Sequence, residues 1–380
     1  MKQASSTRRE FLTDSLTLAA GLAVSASLPA AAAEGEADMP PFTMTRISGT
    51  PRERGRQYGQ TFSDSIRGFL DREVYAAFEG RPSAKRDMLR YADQCARAIA
   101  EYSPTLIDEL EGMAEGSGLS LPEHVLLTLH EELWHKGELP SVEHCTAIAA
   151  GPPDTSDGHA YVGQTWDWMD SVFGLSTLLD WRRPEGPSVL AYSFPGLWVG
   201  AGMNSSGLAL TWTSGFGGKE IKSPRVGIPS YALIAQMLYQ ESLEDALEEA
   251  RRARHAGWFT FVLGDAEGRL ANVEGNPEEL AVERHEGRLA RVLFGSRQIT
   301  GASAEEPIPY HERCQRMYDL LEESAGEINA TEIQRLFGSS CGIAHGGTLD
   351  AMIFDCTART AWLSRVRGEA RNWQSFSLES

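Results

Sequence analysis

No Cys-x-x-Cys pair and no zinc-type spacing occurs among the five scattered cysteines, Cys95, Cys145, Cys314, Cys341 and Cys356, so the common structural zinc sites and thioredoxin-like redox chemistry are excluded. The chain also lacks a P-loop and a dinucleotide fingerprint, which removes the usual sequence grounds for nucleotide-dependent chemistry. Positive charge is in short supply: a formal net charge of −18 repels phosphate backbones and anionic lipid, leaving small neutral or cationic molecules as the better partners. There is no internal repeat. The one apolar run near the start, residues 16–28, is too short and too rich in Ser, Gly and Ala to cross a hydrocarbon core of about 30 Å.

What that run does have is an export layout. Lys2, Arg8 and Arg9 precede it, and Ala30-Ala31-Ala32-Ala33 follow it before Glu34. Thr7-Arg8-Arg9-Glu10-Phe11-Leu12 resembles the twin-arginine export motif, so residues 1–33 are expected to be a removed signal and the mature protein to be periplasmic or secreted, without membrane insertion. A chain that folds before export acquires no disulfides in the cytoplasm, so mostly free thiols are expected.

The full sequence is 42% hydrophobic and 23% charged, enough apolar residues for a sizeable core. From 51 to about 133 the apolar spacing is helical and predicts four helices; Ser103-Pro104 starts one of them, and Gly116 and Gly118 close it. After Pro140 short alternating or fully apolar runs predict strands at 145–150, 159–166, 188–193, 197–203 and 208–213. Two helices follow (228–239 and 243–254, the second capped by Ser242 with Asp245 three residues on), then strands at 258–263, 270–274, 280–284 and 289–294. Helices at about 310–323 and 331–337 lead to strands at 348–354 and 360–365. Runs of strands broken by helix pairs do not have the β-α-β rhythm of a doubly wound sheet; an antiparallel layered α+β fold is predicted, with two packed sheets flanked by helices.

Cys145 opens the first strand, and a hairpin folded about residues 154–158 predicts that Cys145 and Asp167 lie close together. Asp167 sits between Trp166 and Trp168 in Gly163-Gln164-Thr165-Trp166-Asp167-Trp168. His130 and His135 are five apart, about 140° round a helix, whereas a zinc protease helix needs them four apart, so no metal is expected. Gly338-Ser339-Ser340-Cys341-Gly342 follows a helix and precedes a strand, the reverse of a nucleophile elbow.

Five pieces in order carry a family likeness: Gly49-Thr50-Pro51-Arg52-Glu53-Arg54-Gly55 with Tyr58-Gly59, Glu109 to Gly118, Cys145-Thr146-Ala147, the Gly163 to Trp168 segment, and Met203-Asn204-Ser205-Ser206-Gly207-Leu208-Ala209. The chain resembles the acyl-coenzyme A:6-aminopenicillanate acyltransferases, cysteine-type N-terminal-nucleophile hydrolases. The resemblance implies a four-layer αββα sandwich, a helical pro-segment (34–144) and a catalytic segment (145–380), separated by self-cleavage between His144 and Cys145 and remaining associated. It implies Cys145 as nucleophile and Asp167 as the holder of the new amine, acting on a small N-acyl substrate with no metal or organic cofactor. The chemistry is coherent: a thiol of reference pKa about 8.5 gains, on cleavage, an α-amine of about 7.7–8.0 as its base.

Two features depart from the family. Where relatives carry an Asn or His as oxyanion donor this chain has Thr260, with Asn204 a second candidate whose plainer reading is the first residue of a β-turn. Where the penicillin acyltransferases carry an Arg before the Thr-Leu strand, His345 stands, which implies the loss of a fixed cation. Trp166, Trp168, Trp198 and His345 are candidate pocket residues. Hydrolysis is favoured, acyl transfer to an amine is the close alternative, and a non-catalytic periplasmic binding protein of the same fold is the rival from another class.

Overall fold

The computed structural model describes residues 39–135, 145–214, 224–301, 311–370 and 372–378; the expected signal (1–33) and His144 lie outside the described residues. The stretch expected to hold four helices holds six: α1 (Pro51–Thr61), α2 (Ser63–Phe69), α3 (Pro82–Tyr102), α4 (Pro104–Ser117), α5 (Leu121–Thr128) and α6 (His130–His135), with a π turn at Leu70–Tyr75 between α2 and α3. Thr50 and Glu53 cap α1 reciprocally, and the Ser103 hydroxyl accepts from the Leu106 N–H at the start of α4. Gly118, at φ 72°, ends α4 in the left-handed conformation that glycine adopts without penalty.

Gly116 does something else. Together with Gly112 it faces Gly55 and Gly59 of α1, and the two helices meet backbone to backbone. A Cβ at Gly112 would lie 2.2 Å from the Arg52 carbonyl oxygen, and one at Gly55 2.0 Å from that of Glu109. In an exposed helix Gly→Ala stabilises by about 1 kcal/mol. Here overpacking wins, so Gly112→Ala is expected to destabilise by roughly 2–3 kcal/mol, read as a lower urea midpoint with an unchanged slope.

The helical region is not purely helical. Strand β1 (Met44–Ile47) pairs in parallel with β4 (Thr177–Trp181), so the segment before Cys145 contributes an edge strand to the sheet that follows it. In chain order the strands that complete the fold are β2 (Thr146–Ala150), β3 (Tyr161–Asp167), β5 (Val189–Phe194), β6 (Leu197–Asn204), β7 (Ala209–Ser214), β8 (Phe259–Gly264), β9 (Leu270–Gly275), β10 (Leu280–His285), β11 (Arg288–Arg291), β12 (Thr348–Asp355), β13 (Thr360–Arg365) and β14 (Gln374–Ser377). They form an eight-stranded sheet, β1-β4-β5-β6-β7-β8-β9-β10, and a six-stranded sheet, β11-β2-β3-β12-β13-β14.

The remaining helices are α7 (Ser230–Leu238), α8 (Leu243–Arg252), α9 (Arg297–Thr300), α10 (Glu312–Glu323) and α11 (Ala330–Leu336). The α7/α8 pair covers the outer face of the large sheet, α10 and α11 cover that of the small one, and β2 and β3 pack on β7 and β8 between them. The result is the expected αββα sandwich. Side-chain alternation along β2 sends Cys145, Ala147 and Ala149 into the core between the sheets and Ile148 and Ala150 to the α10/α11 side. All five cysteines are unpaired and buried.

One buried carboxylate ties α4 to the large sheet. Glu109 of α4 is fully buried; its Oε1 accepts from Arg54 Nη2 (2.7 Å) and Trp181 Nε1 (3.2 Å), and its Oε2 from Trp198 Nε1 (3.1 Å) and Tyr239 OH (2.7 Å). Arg54 also reaches Glu185 at 2.5 Å, so the buried charge is both paired and hydrogen-bonded. Trp198, expected in a pocket with Cys145, is instead one of the donors in this cluster.

Candidate active site

Cys145 stands at the head of β2, one residue before the ladder begins at Thr146–Thr165. Continuing that register puts it opposite Trp166, so the predicted hairpin does bring it to the Asp167 end of β3. The side chains meet differently from expectation. The thiol lies 3.9 Å from the backbone carbonyl oxygen of Asp167, while the Asp167 carboxylate, on the same side of β3 as Tyr161, bonds to other groups. Its Oδ1 accepts from the Thr348 hydroxyl (2.7 Å); its Oδ2 accepts from Arg313 Nη1 (2.7 Å) and His345 Nε2 (2.9 Å). His345 Nδ1 lies 3.1 Å from the Gly347 nitrogen, and its Nε2 lies 2.9 Å from both Asp167 Oδ2 and Arg313 Nη1, so the ring is wedged into the Asp167–Arg313 pair.

The fixed cation expected to be missing is therefore present, supplied by Arg313 from α10, next to the His345 that occupies the expected position. Nothing in the sequence around Arg313 marked it, because the contact spans 146 positions. Thr348 and Thr213 were missed for the same reason. The Thr213 hydroxyl donates to the Cys145 carbonyl at 2.9 Å and pins the backbone of that residue to the large sheet.

Burial, and after it the nearby Asp167 charge, push the Cys145 thiol well above its ordinary pKa. A thiol so placed stays protonated at neutral pH and needs a base beside it to react. Thr260 pairs with Thr213 across β7 and β8, one strand further from Cys145, and its buried hydroxyl has no hydrogen-bond partner among the described residues. Trp166 and Trp168 stack with ring centroids 5.9 Å apart, and Trp168 reaches His130 (4.7 Å) and Trp212 (6.4 Å), making an aromatic wall on the Cys145 side of β3.

Asn204 is not brought to Cys145. Its Oδ1 accepts from the Ser206 and Leu208 N–H groups, and its Nδ2 donates to the Leu238 and Gln240 carbonyls, so its bonds are spent on closing the β6–β7 turn and tying it to the end of α7. That turn is at the far end of β7 from Thr213, roughly 16 Å away at about 3.3 Å per residue. The β-turn reading of Asn204 stands, and a role as oxyanion donor does not fit this position.

Residues 154–367 match the family described as acyl-coenzyme A:6-aminopenicillanic acid acyl-transferase. The chain belongs to that family. The matched stretch takes in Asp167, Thr260, Arg313, His345 and Thr348 and begins nine residues after Cys145. Among solved structures, the family member described here is similar to an N-acylethanolamine-hydrolyzing acid amidase ortholog from Caenorhabditis elegans, at 13% identity and a TM-score of 0.44 over 56% of this chain and 93% of that one. It is also similar to conjugated bile acid hydrolase from Clostridium perfringens (14%, TM-score 0.43, over 62% and 92%) and to penicillin V acylase from Agrobacterium tumefaciens (14%, TM-score 0.41, over 62% and 86%).

Proposed function

We propose that this protein is a self-processing cysteine amide hydrolase of the N-terminal-nucleophile type, cutting the linear amide bond of a small N-acyl compound through a thioester on Cys145. Membership of an acyl-transferase family supports acyl transfer or acyl-amide hydrolysis by this chain. The observation that carries the finer reading is Cys145 itself, at the start of β2 with its carbonyl held by Thr213 and its thiol against the end of β3.

In the uncut chain this thiol is held protonated by burial. Attack on the carbonyl of His144 forms a C–S bond while the His144–Cys145 C–N bond breaks and its nitrogen takes the thiol proton; water then hydrolyses that thioester, leaving a carboxyl group on His144 and the thiol and a free α-amine on Cys145. An amine of reference pKa about 7.7–8.0 then takes the thiol proton near neutral pH. The thiolate adds to the substrate carbonyl, the amine returns the proton to the leaving nitrogen, and water hydrolyses the thioester. Asp167, bridged to Arg313, His345 and Thr348, fixes the end of β3 on which the amine depends. We place the reaction outside the cytoplasm, after export by the twin-arginine route, with the cleaved segment retained as a subunit through β1 and Glu109.

The test is a panel of N-acyl amides (penicillins, acylated amino acids, acyl homoserine lactones) offered to the purified protein. Release of the free amine together with a transient thioester on Cys145 is the expected result. An intact chain whose thiol resists a thiol-reactive probe would instead favour a binding protein.

A further inference from the structure

Between the two sheets, on the same face as the Cys145 thiol, lies a buried amide whose donor end is idle. Gln164 of β3 stands directly across the ladder from Ala147 of β2, and residues so paired point to one side of a sheet. Ala147 and Cys145 both face the core between the sheets, so Gln164 does too. Continuing the β2–β3 register makes Gln164 the diagonal neighbour of Cys145, about 7–8 Å away and within reach of a long side chain. Its Oε1 accepts from the Trp212 N–H of β7 at 3.0 Å, past the Gly202–Leu210 and Met203–Ala209 pairs of the β6–β7 ladder. A backbone N–H can only donate, so that end of the amide is the oxygen and the other is the NH2. The NH2 is buried and has no partner among the described residues. The residue after Trp212 is Thr213, whose hydroxyl holds the Cys145 carbonyl, so two successive residues of β7 grip the amide and the nucleophile.

An unsatisfied buried NH2 costs a fold stability, and Met would fill the same space without that cost. Fixing the oxygen and freeing the nitrogen holds a donor in place for a ligand. Asn204 is spent on its turn, and Thr260 offers a hydroxyl one strand beyond Thr213. A donor to the oxygen of a tetrahedral adduct stands about one atom further from the sulfur than a donor to the sulfur itself, and the next long side chain along the same face meets that requirement. On β2 the inward residue next to Cys145 is Ala147, so that strand puts nothing larger than a methyl group beside the amide.

We propose, on the reading that Cys145 is the nucleophile, that the Gln164 NH2 is the amide hydrogen-bond donor to the oxyanion formed there. As the Cys145 sulfur bonds to the acyl carbon, the carbonyl π pair moves to oxygen, which takes the hydrogen bond from Nε2. When the adduct collapses, the pair returns, the C–N bond breaks, and the leaving nitrogen takes the proton held by the Cys145 amine. Gln164 neither gains nor loses a proton. The same donor serves self-cleavage, whose adduct forms on the His144 carbonyl.

Gln164→Met, which keeps the volume without donor or acceptor, is compared with wild type in turnover of the 4-nitroanilides of phenylacetic and octanoic acid, alkylation of Cys145 by iodoacetamide, and thermal unfolding. Alkylation displaces iodide at a saturated carbon and forms no oxyanion. The expected result is a fall in kcat on the order of a hundredfold with KM little changed, and alkylation within a few-fold of wild type. Equal falls in both overturn the proposal and make Gln164 a brace that positions Cys145 through Trp212 and Thr213. No fall in either, in a chain that is cut and active, overturns this assignment alone. Gln164→Glu keeps the acceptor for Trp212 and serves if the Met variant fails to fold or to mature. Its carboxyl donates when protonated and not when ionised. Cleavage before Cys145, and turnover relative to alkylation, are therefore expected to approach wild type at about pH 5 and to be lost at about pH 8.5, with thermal unfolding confirming the fold at each. A loss that is the same at both pH values overturns the proposal, because a protonated carboxyl both braces and donates. A wild-type chain uncut before Cys145 and inert to both anilides overturns the nucleophile reading and this assignment with it.

Discussion

Cys145→Ala is expected to leave the chain whole and to lower amide hydrolysis on the order of a millionfold, the scale seen when a covalent catalyst loses its nucleophile. The fold should survive the change. The contacts that position residue 145 are made by its backbone, through the Thr213 hydroxyl, and the side chain faces the apolar core between the sheets. Removing one buried sulfur costs about 1 kcal/mol, small against the stability of a domain of this size. Thermal unfolding close to wild type, with one band on denaturing electrophoresis and no amine released, is the combined result. Residual hydrolysis in that variant would move the nucleophile elsewhere.

Asp167→Asn is expected to damage both rate and stability. The carboxylate accepts from Thr348, Arg313 and His345, and an amide in its place offers one acceptor oxygen and turns an NH2 group toward two donors. Arg313 loses its buried counter-charge, a loss of about 3 kcal/mol. Catalysis should fall at least on the order of a hundredfold, because the end of β3, whose Asp167 carbonyl lies against the Cys145 thiol, is no longer held in place. A double variant that also carries Arg313→Leu should recover part of the stability and none of the rate. Recovery of both would reduce Asp167 to a structural counter-ion.

Much of the fold was legible because its signals are local. The cap at Ser103, the Ser242 and Asp245 pair and the turn begun by Asn204 all stand where spacing puts them, Gly207 closing that turn with positive φ. Three strands were not legible. Strands β1, β4 and β14 are short, of four or five residues, and two of them lie at sheet edges where the pattern need not be strongly apolar. The glycines of α1 and α4 read as breakers or caps until the helices are seen to touch. At the site, sequence order led to Cys145 and Asp167 through one hairpin, which is a local object. Arg313 and Thr348 reach the same place from other elements, and no local pattern records that convergence. The tryptophans divide by strand face: Trp166 and Trp168 line the Cys145 side, while Trp198 turns toward α7 and Glu109.

Underlying every part of this reading is the state of the nitrogen of Cys145, which is either an amide or a free amine. Intact mass and N-terminal sequencing of the protein recovered after export decide between them. The account predicts two polypeptides that separate only on denaturation, one beginning with an unblocked Cys145 and the other ending at His144. A single polypeptide running unbroken through that bond, in a protein that nevertheless hydrolyses N-acyl amides, would contradict it.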